Sequence, residues 1–494
     1  MKLKLILPSA NDNIGNSLDF SYLSRLFKGT ARLGCMPLSI PTLAALTPDD
    51  IEIIITDENI EEINYDEKVD LVGISFMTYL APRAYQIADE FRKRGIYVVL
   101  GGIHASMLPE EALKHADALI IGEAENIWPG FISDFLKKSN KRIYQCENRP
   151  DLKKLVVPRW DLLKNEHYHY FLVQTTRGCP FNCDFCSVRA FSGASRHKPV
   201  ENVLIEIEAL RKIANSNFIT FSDDNIFSDN NYAKELFKAL KPLKIKWASQ
   251  ASINIAKDPE LLALAKESGC VYLLIGFESV SQASLNSVNK GYLNKYEYYK
   301  DAIERIYSHG LAILGTFILG FDGDDESIFE RTLEFINETN ISFPIFNILT
   351  PLPGTKLYFK MEEEGRIIHK RWNEYNGANV CIKPKMMPAE MLKEGYYWIS
   401  REAYSYKTSF ERLERLWKKG VWKQNNAPNM IKAYLTMKLI KNIAEQKHHM
   451  IPFILRSLRE LWFNKNINIG ALLFNLNFHE YGNNLPYIKS IKRG

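Results

Sequence analysis

The sequence predicts an α/β chain of three parts: a doubly wound parallel sheet, a six-unit (β/α) partial barrel and a mostly helical C-terminal domain. Its 494 residues are more than one hydrophobic core usually organises, so several domains are expected. Two long stretches alternate short apolar runs with helix-like segments, which is typical of parallel sheets covered by helices. We place the domains at 1–140, 166–360 and 361–494, with a linker at 141–165.

The first domain has strand-like apolar runs at residues 3–7, 51–55, 71–76, 97–100 and 118–121. This pattern predicts a Rossmann-like sheet, in which ligands lie at the carboxyl ends of the strands. Small and polar residues follow the last three runs, which lets a large flat ligand approach the backbone. No G-x-G-x-x-G follows the first run, so a dinucleotide is the less favoured ligand.

The second domain repeats the strand–helix pattern, with strands expected at 171–175, 218–222, 246–250, 271–278, 312–319 and 343–349. Six such units suit a partial TIM barrel, whose chemistry lies at the C-terminal ends of the strands. The loop after the first of these strands should therefore hold functional residues.

That loop carries Cys179, Cys183 and Cys186 in a C-x3-C-x2-C spacing. Three thiolates can hold three irons of a [4Fe–4S] cluster and leave the fourth iron open to a small molecule, whereas complete cysteine ligation takes four thiolates. Zinc would need a fourth Cys or His ligand at a suitable spacing, and His197 is the nearby candidate. The spacing favours the cluster.

The cysteine motif and the order of the barrel strands resemble the radical S-adenosylmethionine (SAM) enzymes over about residues 165–360. The resemblance implies that SAM binds the open iron and that its one-electron reduction gives a 5′-deoxyadenosyl radical, which removes a substrate hydrogen. The implied SAM contacts are Phe185, Ser222, Asp223, Asp224, Gln250, Glu278 and Lys290.

Two of these implied contacts have alternative interpretations. Many members carry Gly-Gly-Glu after the second strand, where this chain has Ser-Asp-Asp-Asn at 222–225, and an aspartate there can instead cap a helix. Lys290 stands where related sequences hold the SAM carboxylate, but it can equally be a solvated surface lysine.

The first domain resembles the cobalamin-binding domain that is fused to one large branch of these enzymes. The resemblance rests on Gly-Gly-Ile-His at 101–104, Pro-Glu-Glu at 109–111 and Gly-Glu-Ala-Glu at 122–125. The Asp-x-His-x-x-Gly motif of the methionine synthase type is absent, so no histidine is expected on cobalt. The implied cobalamin contacts are Ser75, Met77, Thr78, Gly101, Gly102, His104, Gly122 and Glu123. His104 as an ordinary loop histidine, and a domain that no longer binds cobalamin, are the alternatives.

The C-terminal domain resembles the extra domain of lipid-modifying members such as the hopanoid C-2 methylases. Its aromatic residues, among them Trp372 and Tyr396, are expected to close an apolar substrate pocket or simply to pack. From residue 401 onward, 17 Lys or Arg stand against 6 Glu. Such a basic segment favours an anionic partner, such as a membrane surface or nucleic acid, unless it is only a solvated helical face.

Together the resemblances imply a cobalamin-dependent radical SAM enzyme that methylates an unactivated carbon of a small or lipid-like substrate, with a reducing donor of the flavodoxin or ferredoxin type. A cyclase, oxidoreductase or rearrangement enzyme without methyl transfer is one alternative. An RNA-modifying enzyme is another, although those relatives carry a second set of three cysteines, and residues 1–150 hold only Cys35 and Cys146. Nucleic acid is therefore not the expected partner.

The cysteine usage also bears on location. Seven cysteines scattered along the chain do not suggest a disulfide framework. The first apolar run is too short for a signal peptide, and no stretch approaches the apolar length of a spanning helix. We expect a cytoplasmic protein, with peripheral membrane contact through the basic C-terminal segment as an option.

Overall fold

A computed structural model describes residues 1–10, 34–145, 147–154, 156–214 and 217–421. These residues form two compact units, which are considered separately. Unit 1 comprises Met1–Gln250, Val288–Lys290 and Leu349–Lys383. Unit 2 comprises Ala251–Ser287, Gly291–Ile348 and the described residues from Pro384 onward.

The strands are short and mostly apolar, and they are numbered here in chain order. They are β1 (Lys2–Leu7), β2 (Gly34–Cys35), β3 (Glu52–Asp57), β4 (Leu71–Ser75), β5 (Tyr97–Gly101), β6 (Ala118–Ile121), β7 (Ile143–Gln145), β8 (Tyr168–Val173), β9 (Thr176–Arg177), β10 (Arg196–His197), β11 (Phe218–Phe221), β12 (Lys246–Ala251), β13 (Cys270–Glu278), β14 (Ala312–Leu319) and β15 (Phe343–Ile348).

The α-helices lie mainly between the strands. They are α1 (Ser39–Ala45), α2 (Ala81–Lys93), α3 (Ile103–Met107), α4 (Pro109–Ala112), α5 (Trp128–Leu136), α6 (Ser187–Ser192), α7 (Val200–Ile213), α8 (Asn230–Leu240), α9 (Pro259–Glu267), α10 (Gln282–Ser287), α11 (Tyr299–Ser308), α12 (Ser327–Thr339), α13 (Lys356–Glu363), α14 (Ala389–Ala403) and α15 (Tyr406–Lys418).

The N-terminal sheet of unit 1 has the strand order β3-β1-β4-β5-β6-β7, and all of its pairs are parallel. Its central strand β4 reads Leu-Val-Gly-Ile-Ser with its first four residues buried, as expected for a strand covered on both faces. The doubly wound sheet is therefore as predicted. Strand β7 was not predicted, because its residues alternate between exposed and buried and fall inside the expected linker.

The first barrel strands also belong to unit 1, where β12, β11, β8 and β2 pair in parallel in that order. Strand β2 comes from the N-terminal part of the chain, which the sequence pattern did not reveal. The two residues of β9 pair antiparallel with those of β10, so this small ladder closes the base of the cysteine loop. Helix α7 follows it and buries Val203, Ile207 and Leu210.

Unit 2 contains the parallel set β13-β14-β15. Helices α10, α11 and α12 lie between these strands, and α9 precedes β13. Helix α14 packs against α12 and β15. Tyr396, which was expected either to close a substrate pocket or simply to pack, is 1% exposed on the buried face of α14 and packs in the core there. The α/β class with a helical region after the barrel strands agrees with the sequence.

Residues 349–383 pack with the N-terminal sheet of unit 1. Trp372, Tyr375 and Cys381 join the buried cluster that also holds Ile87 and Phe91 of α2. The Trp372 indole Nε1 donates to Glu111 Oε1 at 2.9 Å. Of the two expectations for Trp372, the structure favours packing, because its ring is 7% exposed and anchors this segment to the sheet.

The basic segment predicted at 401–494 lies mostly outside the described residues, which end at Val421. Among the helices that the structure does describe, none combines the length and the apolar composition needed to cross a bilayer.

Candidate cofactor site

The cysteine loop starts at the end of β9 and returns to β10. Gly178 has φ 85°, and a Cβ there would lie 2.6 Å from the Ala194 carbonyl oxygen, so only glycine fits before the first cysteine. The Cys179 N–H donates to the Gly193 carbonyl at 3.3 Å, and the Cys186 N–H donates to the Cys183 carbonyl at 3.1 Å. Cys186 is the N-cap residue of helix α6.

Two other segments of unit 1 hold the middle of this loop. The Asp184 N–H donates to the Val288 carbonyl at 3.1 Å, and the Asp184 carbonyl accepts from the Leu357 N–H at 2.9 Å. The Asn289 amide donates to the Asn182 carbonyl at 2.9 Å. The loop is thus positioned by residues more than a hundred positions later, which no local sequence pattern identifies.

The electrostatics of the loop suit metal binding. Burial raises the pKa of Cys179, and it raises the pKa of Cys186 to about 11. The Lys290 ammonium lowers both values, so this lysine lies within electrostatic reach of two of the three thiols. Buried thiols of this kind stay protonated until a metal displaces the proton.

The donor set fits a [4Fe–4S] cluster in another respect. Within the described ranges, no three His, Cys, Asp or Glu side chains converge as ligands of a single metal ion. A cubane cluster does not need such convergence, because each of its cysteines binds a different iron. The three loop cysteines are free thiols, so each is available to bind one iron of such a cluster.

The two aspartates after β11 have different surroundings. Asp223 is fully buried, and its carboxylate accepts hydrogen bonds from the Thr175 N–H at 2.7 Å, the Thr175 hydroxyl and the Thr176 N–H. Asp223 therefore supports the strand that leads into the cysteine loop. Asp224, by contrast, lines the cavity of unit 1 that is described below. The Asp224 carboxylate accepts from the Gly178 N–H at 3.1 Å.

The remaining predicted SAM residues are spread over both units. The buried Ser222 hydroxyl has no hydrogen-bond partner among the described residues, so it has capacity for a ligand. Gln250 is exposed, and its carbonyl accepts from the Ile226 N–H at 3.1 Å. Phe185 is half-buried on the cysteine loop. Glu278 lies in unit 2, 8% exposed, where β13 ends at a bulge with φ 67°.

A cavity of about 580 Å3 lies in unit 1 at the carboxyl ends of the N-terminal strands. The predicted cobalamin residues on its wall are Ser75, Met77, Gly101, Gly102, Gly122 and Glu123. Its other wall is formed by residues from the start of the barrel, among them Leu172, Arg177 and Asp224. The cavity therefore joins the two sets of strand ends that the sequence marked as binding sites.

Glycine shapes this cavity at the end of β5. Gly102 has φ 95°, and a Cβ there would lie 2.6 Å from the Phe76 carbonyl oxygen, so a side chain cannot be accommodated. At Gly101 such a Cβ would meet Ile120 at 3.6 Å, an ordinary van der Waals contact, so this position is less crowded than Gly102. A backbone without side chains suits the close approach of a broad ligand such as a corrin.

His104 and Thr78 do not line the cavity. The His104 ring is fully buried, with Nε2 3.3 Å from Glu111 Oε1 and the ring of Trp372 at 5.2 Å. This corrects the expected cobalamin contact, because a ring packed between Glu111 and Trp372 is turned into the core. Thr78 is 7% exposed at the start of a short turn before α2.

The same cavity is lined by Arg177, Lys198 and Glu206, which were not predicted as site residues. Arg177 Nη1 lies 2.6 Å from Glu123 Oε2 and 2.7 Å from Glu125 Oε1, and Arg196 also pairs with Glu123. Lys198 pairs with Glu206 of α7, and both side chains are nearly inaccessible. Burial raises the pKa of Glu206, and the Lys198 ammonium opposes that shift. The sequence signals were the proximity of Arg177 to the cysteine motif and the Gly-Glu-Ala-Glu phrase that holds Glu123 and Glu125.

Comparison with known families matches three segments of the chain. The Radical SAM superfamily matches residues 173–336, and the B12 binding domain matches residues 27–132. A domain of unknown function (DUF4070) matches residues 355–457. These segments contain the cysteine loop, the N-terminal cavity residues and the segment that holds Trp372.

Two curated relatives from Chlorobaculum tepidum exceed 30% identity. Bacteriochlorophyllide d C-12(1)-methyltransferase is 32% identical over 81% of this chain and 90% of its own length. Bacteriochlorophyllide d C-8(2)-methyltransferase is 34% identical over 73% of this chain and 85% of its own length. Among solved structures, the cobalamin-dependent SAM radical enzyme OxsB with aqua-cobalamin and SAM bound superimposes with a TM-score of 0.63, at 15% identity over 97% of this chain and 79% of that one.

Proposed function

The chain belongs to the family of cobalamin-dependent radical SAM methyltransferases, and we propose that its substrate is a tetrapyrrole or a similar flat, apolar ring system. The proposed substrate class is supported by the alignment with two bacteriochlorophyllide d methyltransferases, which covers most of this chain and most of each relative. Both of those enzymes are named for methylation at a carbon of a chlorin-type tetrapyrrole. Methyl transfer is therefore the activity to expect, rather than cyclisation or RNA modification.

Cys179, Cys183 and Cys186 would hold the [4Fe–4S] cluster, and the strand ends of the N-terminal cavity would hold cobalamin. When bound, the cluster, SAM and cobalamin supply the hydrogen abstraction and the methyl group that an unactivated carbon requires. Cys183 is buried and Cys179 and Cys186 are partly buried, which would limit the access of water to the reacting groups. Lys290 places a positive charge beside the thiolates and is suited to an anionic group of SAM.

Other residues of unit 1 would orient the ligands. The Asp224 carboxylate is suited to the SAM ammonium, because it lies next to the cysteine loop and reaches the cavity. The orphaned Ser222 hydroxyl offers a further polar contact. On the N-terminal side, Gly101 and Gly102 would present backbone without side chains to the corrin.

The substrate proposal is tested by turnover without oxygen. The full chain, loaded with iron, sulfide and hydroxocobalamin, is incubated with SAM, a reductant and bacteriochlorophyllide d, and the product is weighed by mass spectrometry. We expect a gain of one CH2 that carries the label from methyl-labelled SAM, and none with Cys183→Ala. A hopanoid lipid at the same concentration serves as the competing substrate. Methylation of the hopanoid alone would overturn the tetrapyrrole proposal, and a loss of hydrogen without methyl gain would indicate a cyclase.

The partners and location follow from the same chemistry. A low-potential donor of the flavodoxin or ferredoxin type would reduce the cluster, and a reducing cytoplasm would preserve it. Peripheral membrane contact through the basic C-terminal segment is consistent with an apolar substrate. Flotation of the full chain with anionic lipid vesicles tests that contact: co-flotation that is lost at high salt supports it, and a protein that stays at the bottom contradicts it.

A further inference from the structure

We propose that the Lys198–Glu206 ion pair binds a primary carboxamide arm of the corrin from the barrel side of the cavity. The inference rests on cobalamin as a cofactor and is independent of the substrate proposal. It assigns a cofactor contact to residues that lie outside the N-terminal domain, in the segment that begins the barrel.

The pair is built into the cavity wall. Lys198 directly follows β10, and its N–H donates to the Thr175 carbonyl at 2.8 Å. Glu206 lies on the inner face of α7, one residue before the buried Ile207. The two side chains are 6% and 4% exposed. Both line the cavity whose N-terminal side is formed in part by Gly101 and Gly102.

The burial of the Lys198–Glu206 ion pair has to be explained, because it is energetically costly. Burying two charges costs several kcal/mol of desolvation, and an apolar pair of similar volume is commonly as stable or more stable. Elsewhere on α7, Glu208 pairs with Arg211 at the exposed surface, where the cost is small. Charges retained in a cavity wall therefore point to a ligand.

The pair has hydrogen-bonding capacity to spare. An ammonium has three donors, and a carboxylate has about four acceptor sites. Among the described residues, the Lys198 ammonium and the Glu206 carboxylate each make a single side-chain hydrogen bond, which is the one between them. A primary carboxamide presents a carbonyl acceptor and an NH2 donor side by side. The carboxamide carbonyl can accept from the Lys198 ammonium while its NH2 donates to the Glu206 carboxylate. A corrin carries several such amides around its rim.

Binding of hydroxocobalamin to the full chain, reconstituted with iron and measured by equilibrium dialysis, tests the inference. Lys198→Met and Glu206→Gln should each raise the dissociation constant roughly 10-fold or more, the range for a lost charge-assisted hydrogen bond. Glu208→Gln, on the exposed side of the same helix, should leave it unchanged. Wild-type affinity in both cavity variants would overturn the proposal.

A double variant separates recognition from folding. Lys198→Met/Glu206→Leu removes both charges together, so it avoids an unpaired buried charge and should fold and retain its iron. We expect its affinity for hydroxocobalamin to stay roughly 10-fold or more below that of the wild type. Wild-type affinity in this variant would mean that the pair is only structural.

Amide recognition is tested by comparing cobinamide, which keeps the corrin amides, with heptamethyl cobyrinate, whose arms are all esters. The wild type should prefer cobinamide, and the double variant should lose roughly 10-fold of that preference. An equal preference in both proteins would show that the pair does not read an amide and would overturn the assignment.

Discussion

Arg177 Nη1 lies 2.6 Å from Glu123 Oε2, and this ion pair joins the start of the cysteine loop to the end of the N-terminal sheet. Arg177 stands two residues before Cys179, and Glu123 stands two residues after β6. Both side chains line the cavity. The pair therefore fixes the proposed cluster ligands relative to the proposed cobalamin surface within unit 1, as a reaction between two bound cofactors would require.

Replacing Arg177 with Met should destabilise unit 1 and weaken the binding of both cofactors. Glu123 and Glu125, whose side chains are 3% and 11% exposed, would lose a shared cationic partner. We expect a loss of about 3 kcal/mol in the free energy of unfolding. Urea unfolding, with iron and cobalt counted per chain, measures it. Arg159→Met breaks the exposed pair with Asp161 and should cost less than about 1 kcal/mol; equal effects would contradict the role of Arg177.

Removing one cluster thiol should abolish SAM cleavage without unfolding the chain. Cys183→Ala leaves two ligands on the loop, so the iron content and the 5′-deoxyadenosine yield should both fall to background. Cys270→Ala is the matched control, because that thiol is 2% exposed at the start of β13 and lies outside the loop. Normal 5′-deoxyadenosine formation by Cys183→Ala would show that the loop does not hold the cluster.

Gly102→Ala should impair cobalamin retention and stability together. The added Cβ would meet the Phe76 backbone at 2.6 Å with φ already at 95°, so the cost should exceed about 2 kcal/mol. Gly95→Ala has a similar φ of 77° with no atom within 4 Å of the new Cβ, and it should cost only about 1 kcal/mol. Urea unfolding and cobalamin retention after desalting compare the two. Equal losses would mean that crowding at Gly102 is unimportant.

Asp223 should make stability depend on pH in the acidic range. Burial raises its pKa to about 6, above the value of about 4 expected in the unfolded chain. The folded state therefore binds this proton more tightly. The stabilisation that results is fully present below about pH 4 and is lost as the pH rises through about 6.

Asp223→Asn removes this titration while keeping an acceptor for the Thr175 and Thr176 N–H groups. Relative to the wild type, the variant should gain about 2 kcal/mol in the free energy of unfolding between pH 4 and pH 7. Urea unfolding at a series of pH values measures the difference. Burial also raises the pKa of Asp324 to about 6. Asp324 is present in both proteins, so its contribution cancels in the difference between them. A difference that stays constant with pH would contradict the shifted pKa.

Local sequence patterns predicted the parts of the fold and site that depend on neighbouring residues. The cysteine spacing located the loop, and the residues after β4, β5 and β6 located the cavity. Contacts between distant residues could not be predicted in this way. His104 is directed into the core by Glu111 and Trp372, and Trp372 bonds to Glu111 from 261 positions away.

The same limit applies to the charges around the cavity. The pattern after β11 offered two equivalent aspartates, and only the fold shows that Asp223 holds Thr175 while Asp224 reaches the cavity. Lys198 and Glu206 carried no motif, because their importance comes from burial together in one wall. The pattern of apolar and polar residues along a sequence does not show which charged residues will form a buried ion pair.

Reconstitution without oxygen, followed by a count of bound iron and cobalamin, tests the two-cofactor site most directly. The full chain is loaded with iron, sulfide and hydroxocobalamin, desalted and analysed by metal content and absorption spectrum. We expect about four irons and about one cobalamin per chain, the stoichiometry of one [4Fe–4S] cluster beside one corrin. Four irons without cobalamin would contradict the cobalamin cavity and the methyl transfer that depends on it.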